Sequence, residues 1–459
     1  MKKIIMKPVD MTIGTPWKQM LAFMIPMLIG NIAQQLYNTV DSIVVGHYLG
    51  DNALAAVGNA GPIINLLIVL FIGIGVGAGI LVSQYVGAGD KEGTGYTVGN
   101  CVLLIVAASV IVTLAGIFLS GPLLRLLQTP QSLIDWCTIY LRIMFAGSIG
   151  LGIYNILCGV LRGMGDSVSA LIYLIIASLI NIVLDIFFVA VLGMGVEGVA
   201  WATIIAQGIS AVLCVRKLSK MKEFMVFDRK CIRWKREYGM VIIRLGVPSG
   251  ITQMIFSMSS IVVQSLVNSF GEQFIAACVI VTRIDGFAMQ PAMTFGNAMT
   301  TYAGQNTGAN KEDRVRQGTR QGILISCAVS AVIAGLLFIF GRFAISFFTA
   351  TPEIIDQSTH LLRLLTPGYV AMAATHCLAG VMRGCGNTIT PMWLAIIQLC
   401  VMRVPFSYLL CYLTRSAEFP NGRSEMIYVG LLMAFLLGCL MHVLVFISGR
   451  WRKRIVKRT

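Results

Sequence analysis

The chain has 459 residues, 57% hydrophobic and only 12% charged, where a soluble domain carries about 25% charge; with a mean hydropathy of +0.81, it reads as a polytopic membrane protein. The formal net charge of +15 invites a nucleic-acid reading, but that needs a basic face on a soluble module, and here the charges gather at the ends of apolar spans. Twelve scattered cysteines, with no C-x-x-C pair and no His/Cys cluster at metal spacing, show neither a redox centre nor a zinc site and read as small apolar residues in helix contacts.

The N-terminal MKKIIMKPVDMTIG is basic but has no apolar signal core, and the span after it is too long and too polar to be a signal peptide. The segment is expected to stay in the mature protein. The first span, 17–46, is long enough to cross a bilayer. Within it Asn31, Gln34, Tyr37, Asn38 and Asp41 recur at steps of three and four, along one helical face. That face must look into protein or water. A carboxylate at membrane depth costs about 2.5–3.5 kcal/mol, which makes Asp41 a functional candidate. Pro26 removes one helical hydrogen bond and is expected to kink the span.

Further apolar runs follow at 53–85, 96–119, 133–161, 168–192, 197–215, 241–268, 275–303, 319–341, 353–382, 389–413 and 426–449, twelve spans in all. An even number puts both termini on one side. Basic clusters precede the first span (Lys2, Lys3, Lys7), fill the linker from Arg216 to Arg236 and end the chain from Arg450 to Arg458, marking that side as the cytoplasm. In the second span GIGVGAG, Gly73–Gly79, lacks the strand and lysine of a phosphate loop. It suits close helix packing instead.

An internal repeat organises these spans. Gly50 matches Gly271, Gly87 matches Gly308, Gly159 matches Gly380 and Arg162 matches Arg383, each pair 221 apart (271 − 50, 308 − 87, 380 − 159, 383 − 162). Six is even, so both halves enter the membrane in the same direction, as parallel repeats with substrate between them. The expected organisation is an N-lobe over 1–215, a basic cytoplasmic linker over 216–240 and a C-lobe over 241–459 with a basic tail.

In the fifth span Asn181 and Asp185 lie four apart on one helical face. Their counterparts in the second half are Met402 and Phe406, and Asp41 falls opposite Val262. The deep carboxylates therefore assign coupling chemistry to the first half. Two buried carboxylates can exchange protons, or with Asn181 and hydroxyls such as Thr203 form an oxygen cage for Na⁺. The plainer alternative is a polar contact pinning neighbouring helices, and amides and Tyr37 often act as such glue. Arg403, before Pro405, either snorkels or contacts an anionic part of a substrate. Met258, Met289 and Met293 suit a cavity that accepts varied shapes, or fill a core. The four histidines have no H-E-x-x-H or triad companions, and no nucleophile–base set accompanies the polar cluster, so an enzyme is not expected.

Twelve spans in two halves, the loop GHYLGDNALAAVG, QYVGAGDKE, RGMGD and GMGVEGVAWAT, in this order, resemble the multidrug and toxic compound extrusion (MATE) family over essentially the whole chain. The resemblance implies an all-α, V-shaped membrane protein of twelve helices in two parallel six-helix lobes. It implies a multi-pass efflux antiporter of the cell membrane that exports organic cations or amphipathic toxins for H⁺ or Na⁺ by alternating access. No other cofactor, structural metal or nucleic acid is implied, and a monomer suffices. The family's N-lobe coupling site maps to Asp41, Asn181, Asp185 and Thr203. Tyr37, Tyr140 and Asn155 resemble positions around the same cavity, with Gln34 and Asn38 beside them, and Pro26 resembles a proline whose bending accompanies protonation. The seventh span offers Gln253 where one branch has a glutamate. A flippase for lipid-linked sugar precursors is the alternative in the same superfamily, and would line its cavity with cations to hold a pyrophosphate.

Overall fold

The twelve apolar runs become helices because a bilayer leaves backbone groups no partners outside their own segment. The computed structural model describes residues 8–126, 129–449 and 451–452. Among these the regular structure is helical: α1 Pro16–Leu49, α2 Asp51–Ala88, α3 Lys91–Leu126, α4 Gln131–Ala146, α5 Ser148–Gly163, α6 Ser167–Ile186, α7 Val196–Lys220, α8 Arg236–Asn268, α9 Glu272–Ala288, α10 Gln290–Gly308, α11 Glu312–Ser346, α12 Pro352–Gly384, α13 Ile389–Ile396, α14 Val404–Leu413 and α15 Met426–Ile447. Among the described residues eleven helical spans are long and apolar enough to cross a membrane, twelve when the bent pair α4–α5 is counted as one span.

Several spans differ from uniform α-helix, each for a local reason. The fourth bends by 55° between α4 and α5. There Thr113 Oγ1 donates to the Phe145 carbonyl (2.7 Å) and lies 3.0 Å from Ser148 Oγ, so a side chain takes up an acceptor that the broken ladder frees. The eighth divides at Met289, where Pro291 enters α10 at its first turn and brings no N–H donor. The fifth and eleventh widen into π-helix over Phe187–Val191 and Ile397–Arg403. The second of these ends two residues before Pro405. In α1 Pro26 lies within the length of the helix.

The contacts divide the chain into two compact units. Among the described residues, one holds 8–10 and Ile25–Gly250, the other Met11–Met24 and the chain from Ile251 to Arg452. Two helices are therefore shared: α1 changes unit next to Pro26, and α8 changes unit two residues after Pro248. The linker is strapped to the first unit. Val226 N donates to the Lys91 carbonyl (3.1 Å), Lys235 N to Asn100 Oδ1 (3.0 Å), and Lys235 Nζ lies 3.3 Å from the centre of the Tyr96 ring. In the second unit Arg314 donates to the carbonyls of Met11, Ile13 and Gly14, which anchors the entry to α1.

The repeat is carried by backbone conformation. Gly50 and Gly271 (φ 82° and 89°), Gly89 and Asn310 (73° and 61°), and Gly165 and Gly386 (88° and 92°) are all left-handed, and each pair is 221 apart (271 − 50, 310 − 89, 386 − 165). These are conformations that residues other than glycine and asparagine adopt at a cost. Close packing repeats as well. A Cβ on Gly159 would sit 2.2 Å from the Gly75 carbonyl, and one on Gly380 2.2 Å from the Gly296 carbonyl. GIGVGAG presents alternate glycines to different neighbours: Gly75 and Gly79 meet α5, while Gly73 and Gly77 meet α8.

Gly159→Val is expected to abolish accumulation of folded protein, because two backbones would have to part. Overpacking costs about 1–3 kcal/mol even where side chains can yield. Gly335→Ala, where nothing lies within 4 Å of the new Cβ, should be neutral or stabilising by up to about 1 kcal/mol. Solubilised yield and melting temperature of the two variants check this; a well-folded Gly159→Val would refute the steric account.

In RGMGD, Asp166 caps α6, accepting from Ser169 N (2.9 Å) and Ser169 Oγ (2.7 Å), and pairs with Lys217 on α7 (3.1 Å). Its side chain is 1% exposed. Asp166→Ala should cost about 2 kcal/mol, a cap plus a stranded charge, whereas Asp166→Asn keeps the cap and should lose less. Thermal unfolding in micelles ranks the two.

Candidate functional site

In the first unit α1, α4, α6 and α7 bring together most of the polar residues singled out in the sequence. Asn181 and Asp185, one turn apart on α6, are 1% and 0% exposed. With the amide oriented to suit its surroundings, Asn181 Nδ2 donates to Asp185 Oδ2 (2.9 Å) and Tyr37 Oη (3.1 Å), while its Oδ1 accepts from Thr203 N (3.1 Å). The amide thus ties α6 to α1 and α7. Thr203 Oγ1 donates to the Val199 carbonyl of its own helix (3.0 Å).

Asp41 on α1 is within hydrogen-bonding reach of Asp185. Buried Tyr140 on α4 stands beside both carboxyls and Tyr37. One proton can serve two carboxyls so placed. The cluster is nonetheless short of donors: Asp41 Oδ1 and Asp185 Oδ1 are buried without a partner. Two unfilled acceptors next to a hydroxyl and an amide suit a proton or a small hard cation. Either would relieve a desolvated charge.

The remaining candidates lie apart from this network. Gln34 and Asn38 are exposed on α1. Asn155 on α5 spends its Nδ2 on the Leu151 carbonyl (2.9 Å). Met258 on α8 and Met293 on α10 are 61% and 36% exposed, whereas Met289 packs against the apolar core of the second unit. Pro26 stands on α1 at the unit boundary, four turns before Asp41. Among the described residues no three His, Cys, Asp or Glu side chains group as a metal site.

The second unit holds a deep carboxylate that the repeat comparison missed. Asp285 on α9 accepts a hydrogen bond from Tyr369 Oη on α12, and the Arg403 guanidinium is its charged neighbour. Arg403 Nη1 donates to Ser260 Oγ on α8 (3.3 Å), and its Nε is buried without a partner. The signal for Asp285 was the one used for Asp41, an acid inside an apolar span. Its counterpart 221 positions earlier is Ile64 (285 − 221), so a repeat comparison that starts from the acids of the first half does not reach it.

The MatE family pattern matches residues 26–187 and again 248–409, one match per half. A probable multidrug resistance protein, YpnP, of Bacillus subtilis is 31% identical over 97% of this chain and 98% of its own length. A probable multidrug resistance protein, NorM, of Thermotoga maritima is 26% identical over 96% of this chain and 94% of its own. Among solved structures, the outward-facing conformation of a multidrug resistance MATE family transporter superposes with TM-score 0.89 at 25% identity, covering 96% of this chain and 98% of that one. A MOP superfamily transporter from Pyrococcus furiosus, described as having a binding pocket of reversed polarity, gives TM-score 0.88 at 25% identity over 97% and 99%. With the family pattern in both halves, a relative alike over nearly its whole length and a shared fold, the chain belongs to the MatE family, the multidrug and toxic compound extrusion transporters that its motifs resemble.

Proposed function

We propose that this chain is a secondary active exporter, exchanging organic cations or amphipathic toxins for H⁺ or Na⁺ by alternating access. One observation carries the reading: within a MatE chain, Asp41 and Asp185 meet at membrane depth with an unfilled carboxyl oxygen each. Substrate binds from the cytoplasm while the pair is ionised. On the outside, H⁺ or Na⁺ loads the carboxyls, neutralises them and withdraws the attraction for a cationic substrate. Asn181 and Tyr37 hold the pair in register. Binding and ion loading then compete for one charge. The substrate class is supported by relatives known as probable multidrug resistance proteins.

The basic linker and the basic stretches at both ends support cytoplasmic termini in a cell-membrane protein, and one chain suffices for the cycle. The flippase reading is weaker. It needs deep cations for a pyrophosphate, and the deep arginine, Arg403, has Asp285 as a counter-charge. The deciding experiment is efflux of a fluorescent organic cation from proteoliposomes, with pH and Na⁺ gradients imposed separately. Transport driven by one gradient names the ion; none under either gradient overturns the reading.

A further inference from the structure

At the basic end of the second unit a cavity of about 280 Å³ opens between the last turn of α10, the first turns of α11 and the end of α15. Its wall combines Arg316 and Arg452 with the rings of Phe446 and Trp451, and Thr307 and Glu312 add a hydroxyl and a carboxylate. The aromatic wall is built rather than incidental. The two rings stack with centroids 4.7 Å apart, Trp451 Nε1 donates to the Phe446 carbonyl (2.8 Å), and Asn387 Nδ2 donates to the Trp451 carbonyl (2.9 Å). Trp451 is 3% exposed although it stands five residues beyond Phe446 near the end of the described chain.

The cations are available. Lys311 and Arg314, on the same end, are engaged with the carbonyls of residues 11–14. Arg316 and Arg452 are exposed, and among the described residues neither joins an ion pair. With Glu312 counted against them, the cavity keeps a net positive charge. Cys385 also lines it, and burial pushes that thiol up to about 11, so it stays a neutral thiol and no nucleophile.

The route into the cavity is apolar. Both α11 and α15 pack on α12. Near the cavity their outer faces carry exposed Leu324, Leu440 and Leu444, side chains suited to acyl chains. A basic, aromatic-walled pocket at the charged ends of two lipid-facing helices is a place for an anionic headgroup.

We propose that this cavity binds an anionic phospholipid of the cytoplasmic leaflet, its phosphate on Arg316 and Arg452, its glycerol region against Phe446 and Trp451, and its chains along α11 and α15. The inference is independent of the transport reading, because it concerns what the second unit holds rather than what the first unit couples.

The test is native mass spectrometry and thermal unfolding of the full chain in micelles supplemented with phosphatidylglycerol or phosphatidylcholine. Two arginines near the surface predict about thirtyfold preferential retention of phosphatidylglycerol, with a matching rise in melting temperature. Arg316→Gln with Arg452→Gln should bring that preference to about threefold or less. Both are surface positions, so the double variant should fold. The charge-matched Arg229→Gln with Arg233→Gln, on the exposed linker, should keep the wild-type preference. Equal retention by the Arg316/Arg452 variant, or equal loss in the linker variant, overturns the site. Protection by glycerol 3-phosphate as strong as by the lipid overturns a lipid ligand in favour of a soluble phosphate ester.

Discussion

Asp41→Asn and Asp185→Asn are each expected to leave the protein folded in the membrane yet unable to concentrate substrate. Asparagine has the shape of aspartate and can still hydrogen-bond to the facing carboxyl or to Asn181, whose amide ties the cluster together. What it cannot do is gain and lose a proton or balance a cation. One charge moving down 100 mV supplies about 2.3 kcal/mol, a substrate ratio of roughly fifty-fold. A one-for-one exchange of H⁺ or Na⁺ for a monovalent cation moves no net charge, so wild-type vesicles should approach such a ratio under an equivalent, roughly fifty-fold gradient of the coupling ion, and either variant should stay near unity. Substrate-for-substrate counterflow, which needs no coupling ion, should persist with weaker apparent affinity, because one of the two carboxylates that attract a cationic substrate remains. The measurement is the steady-state ratio of a fluorescent cation together with its counterflow rate. Wild-type accumulation in both variants would remove the carboxyl pair from the mechanism, whereas loss of counterflow too would reduce it to a structural polar contact.

The second large effect concerns stability. Asp285→Asn should destabilise the protein by about 1–3 kcal/mol, because it removes the counter-charge nearest Arg403 at membrane depth, although the two groups are not in direct contact. Arg403→Gln strands Asp285 and should cost a similar amount. Combined, the substitutions remove both charges, so the double variant should recover more than half of the sum expected for independent sites. Tyr369→Phe deletes one hydrogen bond to the carboxylate and should cost about 1–2 kcal/mol. Denaturant titrations in one detergent, read as a double-mutant cycle, decide the matter. Strictly additive losses would mean that the two charges do not sense each other.

A comparison with the first unit explains why these two clusters behave differently. At Asp41 and Asp185 two like charges meet, so the cluster is stable with an ion or proton aboard and strained without one. At Asp285 and Arg403 opposite charges neighbour each other, and a tyrosine completes the carboxylate's shell. The first arrangement suits exchange. The second suits permanence.

Much of this molecule was legible in its sequence because the relevant physics is local. Whether a run of about 20 residues crosses a bilayer is a sum over its own side chains, so the twelve spans follow from composition along the chain. The repeat of 221 surfaces in the sequence at Gly50, Gly87, Gly159 and Arg162 and their partners, the glycines because tight turns and close helix contacts demand small residues at fixed places; the matching left-handed pairs Gly89/Asn310 and Gly165/Gly386 emerged only from the backbone. Asp41, Asn181 and Asp185 stood out because an acid or amide in an apolar span is expensive on its own. The tertiary structure alone decided which polar groups meet. Asp285 and Tyr369 are 84 residues apart, and their contact depends on how α9 and α12 are rotated about their axes. That rotation is set by small-residue packing spread over many helices, as at Gly296 and Gly380. The same distributed packing divides α1 and α8 between the two units, a partition invisible to any hydropathy window because both helices read as single uninterrupted spans.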